Sequence, residues 1–220
     1  MKHRTFPKVT KEQLDKLQSL QPLLKDVKRF EREPAYQETN FDHVGKMLDL
    51  FVLAVEDFNL KDIDHDKVTA LILSHDLGEI GMEFDIGAHV HANCAKTAKL
   101  KEEQETATIK KLAAEHGDFI LDLIDEYNSQ STREGRLVKA LDKLDALIQI
   151  FGIGIKHEPT EDKISFAMQN LLHTAKIFPE LAPLVDQIRK QTNKDVKKRI
   201  KELKKEGLKT ATHQPSKSQE

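Results

Sequence analysis

Apolar residues recur at three- and four-residue steps along most of the chain, a spacing that predicts helices rather than strands. Thr10 and Gln13 stand in capping-box spacing and open a helix carrying Leu14, Leu17, Leu20, Leu24 and Val27, with Pro34 closing the region. A second helix is expected from about Asn40 to Phe58, with Val44, Met47, Leu48, Phe51, Val52 and Val55 as its inward stripe. A third starts near Asp64, brings Val68, Leu71 and Ile72 towards His75, and ends at Gly78 and Gly81. Residues 82–98 sustain no period and are expected to form a loop. Helical spacing resumes near Lys101 and runs to about Tyr127, broken at Gly117. Ser131 and Glu134, again in capping-box spacing, open a helix with the stripe Leu137, Val138, Leu141, Leu144 and Ile148. Two further helices are expected near 162–177 and 180–206, followed by a polar tail, 207–220, expected to be disordered. No internal repeat and no convincing strand emerge, so the fold class is all-α, with a single helical domain over 1–206.

Composition narrows the function classes. A chain of 220 residues suffices for one such domain with a substantial core. Its formal net charge of -2 offers no whole-chain case for nucleic acid, which is not expected as a partner. The C-terminal helix is locally basic (Lys194, Lys197, Lys198, Arg199, Lys201, Lys204 and Lys205), but Asp195, Glu202 and Glu206 interrupt the run. The single cysteine, Cys94, excludes an internal disulfide framework and fits a reducing compartment. "MKHRTFPKVTKEQL" holds no signal-like apolar run, and no window approaches the roughly 20 apolar residues that span a bilayer. A cytoplasmic protein without a membrane partner is expected.

Three separate helices place polar residues on or beside their apolar stripes. His43 lies four residues before Met47, His75 four after Leu71 and beside Asp76, and Asp142 four after Val138. Each alone reads more readily as a hydrogen-bonded core histidine or a helix-end acid than as a ligand. Together they are several buried titratable groups that each need a partner, and one shared cation supplies it. Imidazole with carboxylate suits a divalent ion, Mn, Fe, Co, Ni or Zn better than Mg or Ca.

The ordered set "FDH" at 41–43, "HDLGE" at 75–79 and "VKALDKLDALIQ" at 138–149 resembles the H…HD…D signature of HD-domain metal-dependent phosphohydrolases. "ETNFDH" at 38–43, "KEEQETATIKKL" at 101–112 and "LIDEYNSQSTREGRLVKALDKLD" at 123–145 are similar to stretches of its 5'-deoxynucleotidase-like branch. The resemblance covers about residues 30–150 and implies an HD-domain helical bundle holding one divalent ion on His43, His75, Asp76 and Asp142. Asp145, one turn further on, competes with Asp142, which the family pattern favours. The ion would be Mn, Co, Fe, Ni, Zn or Mg. Glu79 separates this branch from its neighbours, which carry an acidic pair, a Lys or further histidines there.

The implied reaction is release of phosphate from a nucleoside 5'-monophosphate, ribo or deoxy. The metal polarises a phosphate oxygen and activates a water that Glu79 orients or deprotonates, while Asp85 helps to protonate the leaving alkoxide. Asp85 sits one residue later than the pattern expects, which leaves Glu83 as an alternative. Substrate contacts are expected from Arg32, Glu38 and Lys139, with Lys143 a further source of positive charge. Tyr36 stands where the branch commonly has an arginine. A homodimer is implied.

Two rival readings are a metal- or nucleotide-binding sensor without turnover, and a scaffold that uses its basic C-terminal helix on an acidic partner or RNA. His89 and His91 form an HxH pair outside the family pattern, and His65, His116, His157 and His173 lack partners at ligand spacing. Cys94 has no identifiable base. The glycines near 152 and 154 lack the Lys and Ser/Thr of a phosphate loop.

Overall fold

Thr10 and Gln13 close the expected capping box, each side chain accepting from the other's backbone N–H, and α1 runs Lys11–Leu20. The computed structural model describes residues 6–29, 38–58, 60, 62–82, 95–149, 151 and 161–205. Pro34, Glu206 and the tail 207–220 therefore lie outside the described residues. α1 does not continue to Val27. Pro22 has no N–H to give an α-helical bond, and Gln21–Leu24 form a 3-10 turn instead.

Lys28–Arg29 (β1) and Glu38–Thr39 (β2) pair antiparallel, with Arg29 opposite Glu38. This ribbon is the one departure from all-α among the described residues. At two residues per strand it is too short to leave an alternating pattern in the sequence.

α2 spans Asn40–Phe58, and its buried face is Asn40, His43, Val44, Met47, Phe51 and Ala54. Val52, expected in that stripe, is 54% exposed, and Leu48 and Val55 are only half-buried. Val52 lies about 100° round the helix from Phe51, on the side away from Met47 and Ala54, which takes it off the buried face.

α3 runs His65–Ser74, with Asp64 as N-cap accepting from Lys67 N–H. Residues 67, 68 and 70–74 are all buried, because α1, α2 and a later helix pack around it. Each of its fully enclosed aliphatic side chains contributes about 1.5–3 kcal/mol. The Gln21 amide donates to Leu17 O at 3.0 Å and Leu73 O at 2.8 Å, satisfying a helix-end carbonyl just before His75. α3 stops at Ser74, and Leu77–Glu79 form a 3-10 turn.

α4 spans Ala95–His116 and α5 Phe119–Ser129, separated by Gly117 at φ +121. α4 begins before the expected Lys101. Residues 96–100 are exposed or half-buried, so good helix formers there leave no apolar stripe to read. Of the expected loop over 82–98, residues 83–94 lie outside the described residues. α6 spans Arg133–Gln149. The Thr132 hydroxyl, not Ser131, accepts from Gly135 N–H, and the Glu134 carboxylate accepts from Asp64 N–H at 3.3 Å. The helix starts one residue later than expected, which moves Glu134 out of the box position. Leu147 is buried while Ile148 is 36% exposed, so the stripe of α6 ends on the former.

The turn at Leu77–Glu79 sits against α4, and Gly78 permits the approach. A Cβ there would stand 3.1 Å from both Glu105 Cβ and Ile109 Cδ1. Gly78→Val is expected to cost about 1–3 kcal/mol through overpacking, read as a lower urea midpoint at unchanged slope.

The chain divides into two compact units, Met1–Asp145 and Ala146–Glu220, with the boundary inside α6. In the second, α7 (Glu161–Ile177) packs on α8 (Ala182–Lys205), joined through a 3-10 turn at Pro179–Leu181. Leu171, Phe178, Leu181 and Val185 are buried there, while Lys190, Lys194, Lys197, Lys198 and Lys201 are exposed.

Candidate metal centre

Two imidazoles meet where α3 ends. His75 follows the last residue of α3, its N–H bonding Leu71 O, and its ring Nδ1 lies 2.7 Å from Ile72 O. A carbonyl only accepts, so Nδ1 carries the proton and Nε2 presents a lone pair. His43, in the first turns of α2 and fully buried, places Nδ1 2.7 Å from Asp145 Oδ2. A carboxylate likewise fixes the proton on Nδ1 and turns Nε2 outward.

The two Nε2 atoms stand 3.3 Å apart. Two neutral imidazoles so placed would set lone pair against lone pair, which a proton on one of them or a metal ion between them relieves. Asp76 Oδ2 is 3.3 Å from His75 Nε2 and 3.9 Å from His43 Nε2, and Asp142 Oδ1 is 3.4 Å from His43 Nε2. Ligand bonds of about 2.1 Å put neighbouring donor atoms ~3.0–3.4 Å apart, so all but the longest of these separations suit one ion.

The surrounding charges favour the same occupant. Asp76, Asp142 and Asp145 bring three carboxylates, against the side-chain cations of Arg29 and Lys139. Burial and Arg29 would push His43 down, but hydrogen bonds to Asp142 and Asp145 and the charge of Asp76 raise its pKa to about 9. Burial would raise the carboxyls of Asp76 and Asp142. The histidines, with Arg29 for Asp76 and Lys139 for Asp142, hold both below the ordinary range. A field that favours a proton on His43 is one that also suits a divalent ion in its place.

His43, His75 and Asp142 have donor atoms within 4.8 Å of one another, and so do Glu38, His43 and Asp145. The second set is already neutralised. His43 Nδ1 is bonded to Asp145, and Glu38 is ion-paired with Lys46 and, at 3.5 Å, with Arg29 Nε. Asp145 thus stands behind the imidazole of His43, while Asp142 faces its open nitrogen.

Glu79 does not extend the helix of His75. Asp76 adopts φ -104, ψ 7, and Glu79 lies in the 3-10 turn, its N–H bonded to Asp76 O at 3.0 Å. Its buried carboxylate meets the Asn40 amide on one oxygen and Lys101 Nζ at 2.7 Å on the other. Lys139 Nζ, expected near substrate, lies 2.7 Å from Tyr127 OH and 3.3 Å from Asp142 Oδ2. Asp85, Glu83, Arg32, Tyr36, His89, His91, Cys94 and His157 lie outside the described residues.

Periodicity does not reveal Arg29, whose Nη1 is 3.4 Å from Asp76 Oδ2, since a two-residue ribbon positions it. Tyr127 also went unassigned, although a signal existed. It continues the buried face of Leu123 and Ile124 on α5, and a buried phenol needs a partner for its hydroxyl. That partner is Asp142 Oδ2, at 2.7 Å.

A family model described as HD domain matches residues 22–182. The chain is similar to 5'-deoxynucleotidase HDDC2 of Dictyostelium discoideum, 31% identical over 121 residues, covering 55% of this chain and 62% of that protein. It thus spans less than two thirds of the length of that curated relative. A solved structure, a conserved hypothetical protein from Pyrococcus furiosus, matches with a TM-score of 0.61 at 26% identity, over 79% of this chain and 98% of the other. Among the described residues, no helix is long and apolar enough to cross a membrane.

Proposed function

The chain belongs to the HD-domain family, and from that premise we propose that it is a metal-dependent phosphohydrolase releasing phosphate from nucleoside 5'-monophosphates. The observation that carries the reading is the facing pair of His43 and His75 Nε2 atoms, 3.3 Å apart and flanked by Asp76 and Asp142. His43, His75, Asp76 and Asp142 hold the ion. A bound divalent ion supplies Lewis-acid polarisation of a phosphate oxygen and lowers the pKa of water.

The chain's own groups do the rest. Glu79, fixed between Asn40 and Lys101, orients the attacking water and takes up its proton. Asp85 delivers a proton to the leaving alkoxide. Arg29 holds Asp76 in place, and Lys139 adds positive charge where the phosphate arrives. Arg32 and Glu38 are the remaining substrate-side candidates. The nucleotide class rests on the likeness to the Dictyostelium 5'-deoxynucleotidase.

The test is a phosphate-release panel of ribo- and deoxynucleoside 5'-monophosphates beside simple phosphomonoesters, with Mn, Co, Ni, Zn or Mg added. Release from the nucleotides, abolished by chelator and restored by metal, is the expected result. A metal-loaded protein inert towards every ester would instead support the sensor reading.

A further inference from the structure

We propose that Tyr127 is a positioning residue that makes Asp142 a one-oxygen ligand, with Lys139 as its support. The inference rests on the metal centre proposed above. A carboxylate beside a divalent ion can bind through one oxygen or chelate through both, and free rotation of the side chain allows either. Here the two oxygens of Asp142 are distinguished by their neighbours. Oδ1 faces His43 Nε2 at 3.4 Å. Oδ2 accepts from Tyr127 OH at 2.7 Å and from Lys139 Nζ at 3.3 Å.

The two donors also hold each other. Lys139 Nζ is 2.7 Å from the Tyr127 oxygen and 4.4 Å from its ring centroid, so the cation sits close to the phenol. An ammonium has no acceptor capacity, so it donates to the phenol oxygen and leaves the phenol proton for Asp142. Tyr127 is itself packed in, being 5% exposed with its ring 5.4 Å from that of His75. The phenol therefore spans two ligands, packing on one and donating to the other. Satisfying Oδ2 in this way keeps the remaining positions around the ion open for water and phosphate, as a catalytic site requires.

Tyr127→Phe retains the ring against His75 and deletes only the donor, and melting of the metal-free proteins checks that the fold is kept. Metal-free wild type and variant are titrated with Co2+, reading both the dissociation constant and the visible absorption of the bound ion, which weakens as ligands are added. The expected result is affinity loosened about 10–100-fold, with weaker absorption per bound ion as the freed Oδ2 joins. Wild-type affinity and an unchanged spectrum in Tyr127→Phe overturn the inference alone. A wild-type chain that takes up no metal from any of the divalent salts overturns the metal centre and the inference together.

Discussion

Replacing His75 by alanine is expected to remove the bound metal and with it all turnover above background. Its Nε2 is one of the two imidazole nitrogens that face each other across the site. Lewis-acid stabilisation is worth several kcal/mol, and about 1.4 kcal/mol is a factor of ten, so kcat/KM should fall on the order of a thousandfold or more. Asp142→Ala is expected to behave alike, because Oδ1 faces His43. Asp145→Asn should differ in kind. It keeps an oxygen acceptor for His43 Nδ1 but loses the charge that makes the imidazole a better donor. Metal affinity is then expected to drop by about 10–100-fold, with activity recovered at high metal. Metal content by atomic emission, with kcat/KM across a metal titration, separates the two classes. Recovery of His75→Ala at high metal, or complete loss in Asp145→Asn, would reverse the roles assigned here.

That difference also marks where periodicity stops being informative. Only the resemblance to the H…HD…D signature singles out His43, His75, Asp76 and Asp142 as a ligand set. Spacing to buried neighbours puts His43, His75 and Asp142 on or beside strongly patterned helices, with Asp76 next to His75. α2 was legible to its ends for the same reason. Asp142 and Asp145 cannot be separated by pattern, since both belong to one helix and each is near its apolar stripe. Only the approach of His43 from a distant helix distinguishes the nitrogen each meets. Glu79 shows a second limit. Its spacing from His75 suggests a shared helical face, but the backbone leaves the α region at Asp76 and a 3-10 turn carries it on. Arg29 and Lys101 are hidden because long-range contacts define them, through a two-residue ribbon and a helix start without an apolar stripe.

Glu126→Ala is expected to be the most destabilising change away from the metal centre, by about 3–5 kcal/mol. Glu126 on α5 and Lys67 on α3 are buried, at 1% and 7% exposure, and pair at 3.0 Å. Lys67 Nζ also donates to Pro7 O at 2.6 Å, and Glu126 Oε1 accepts from Thr132 Oγ1 at 2.7 Å, beside the start of α6. The alanine variant leaves a buried ammonium without its carboxylate, facing the Pro7 carbonyl and the Phe6 ring, and desolvating it costs more than the lost attraction alone. The double variant Lys67→Met/Glu126→Leu should return close to wild type, since two apolar chains of similar volume need no partners. Urea midpoints for the single and double variants test this, and high salt should change the wild-type value little because the pair is shielded from screening. A loss below about 1 kcal/mol for the single variant would mean that the pair is solvated like one at the surface. The consequence reaches the metal centre as well. Glu126 adjoins Tyr127, and α3 leads into His75, so loosening this pair should also weaken Co2+ binding at temperatures where the fold is intact.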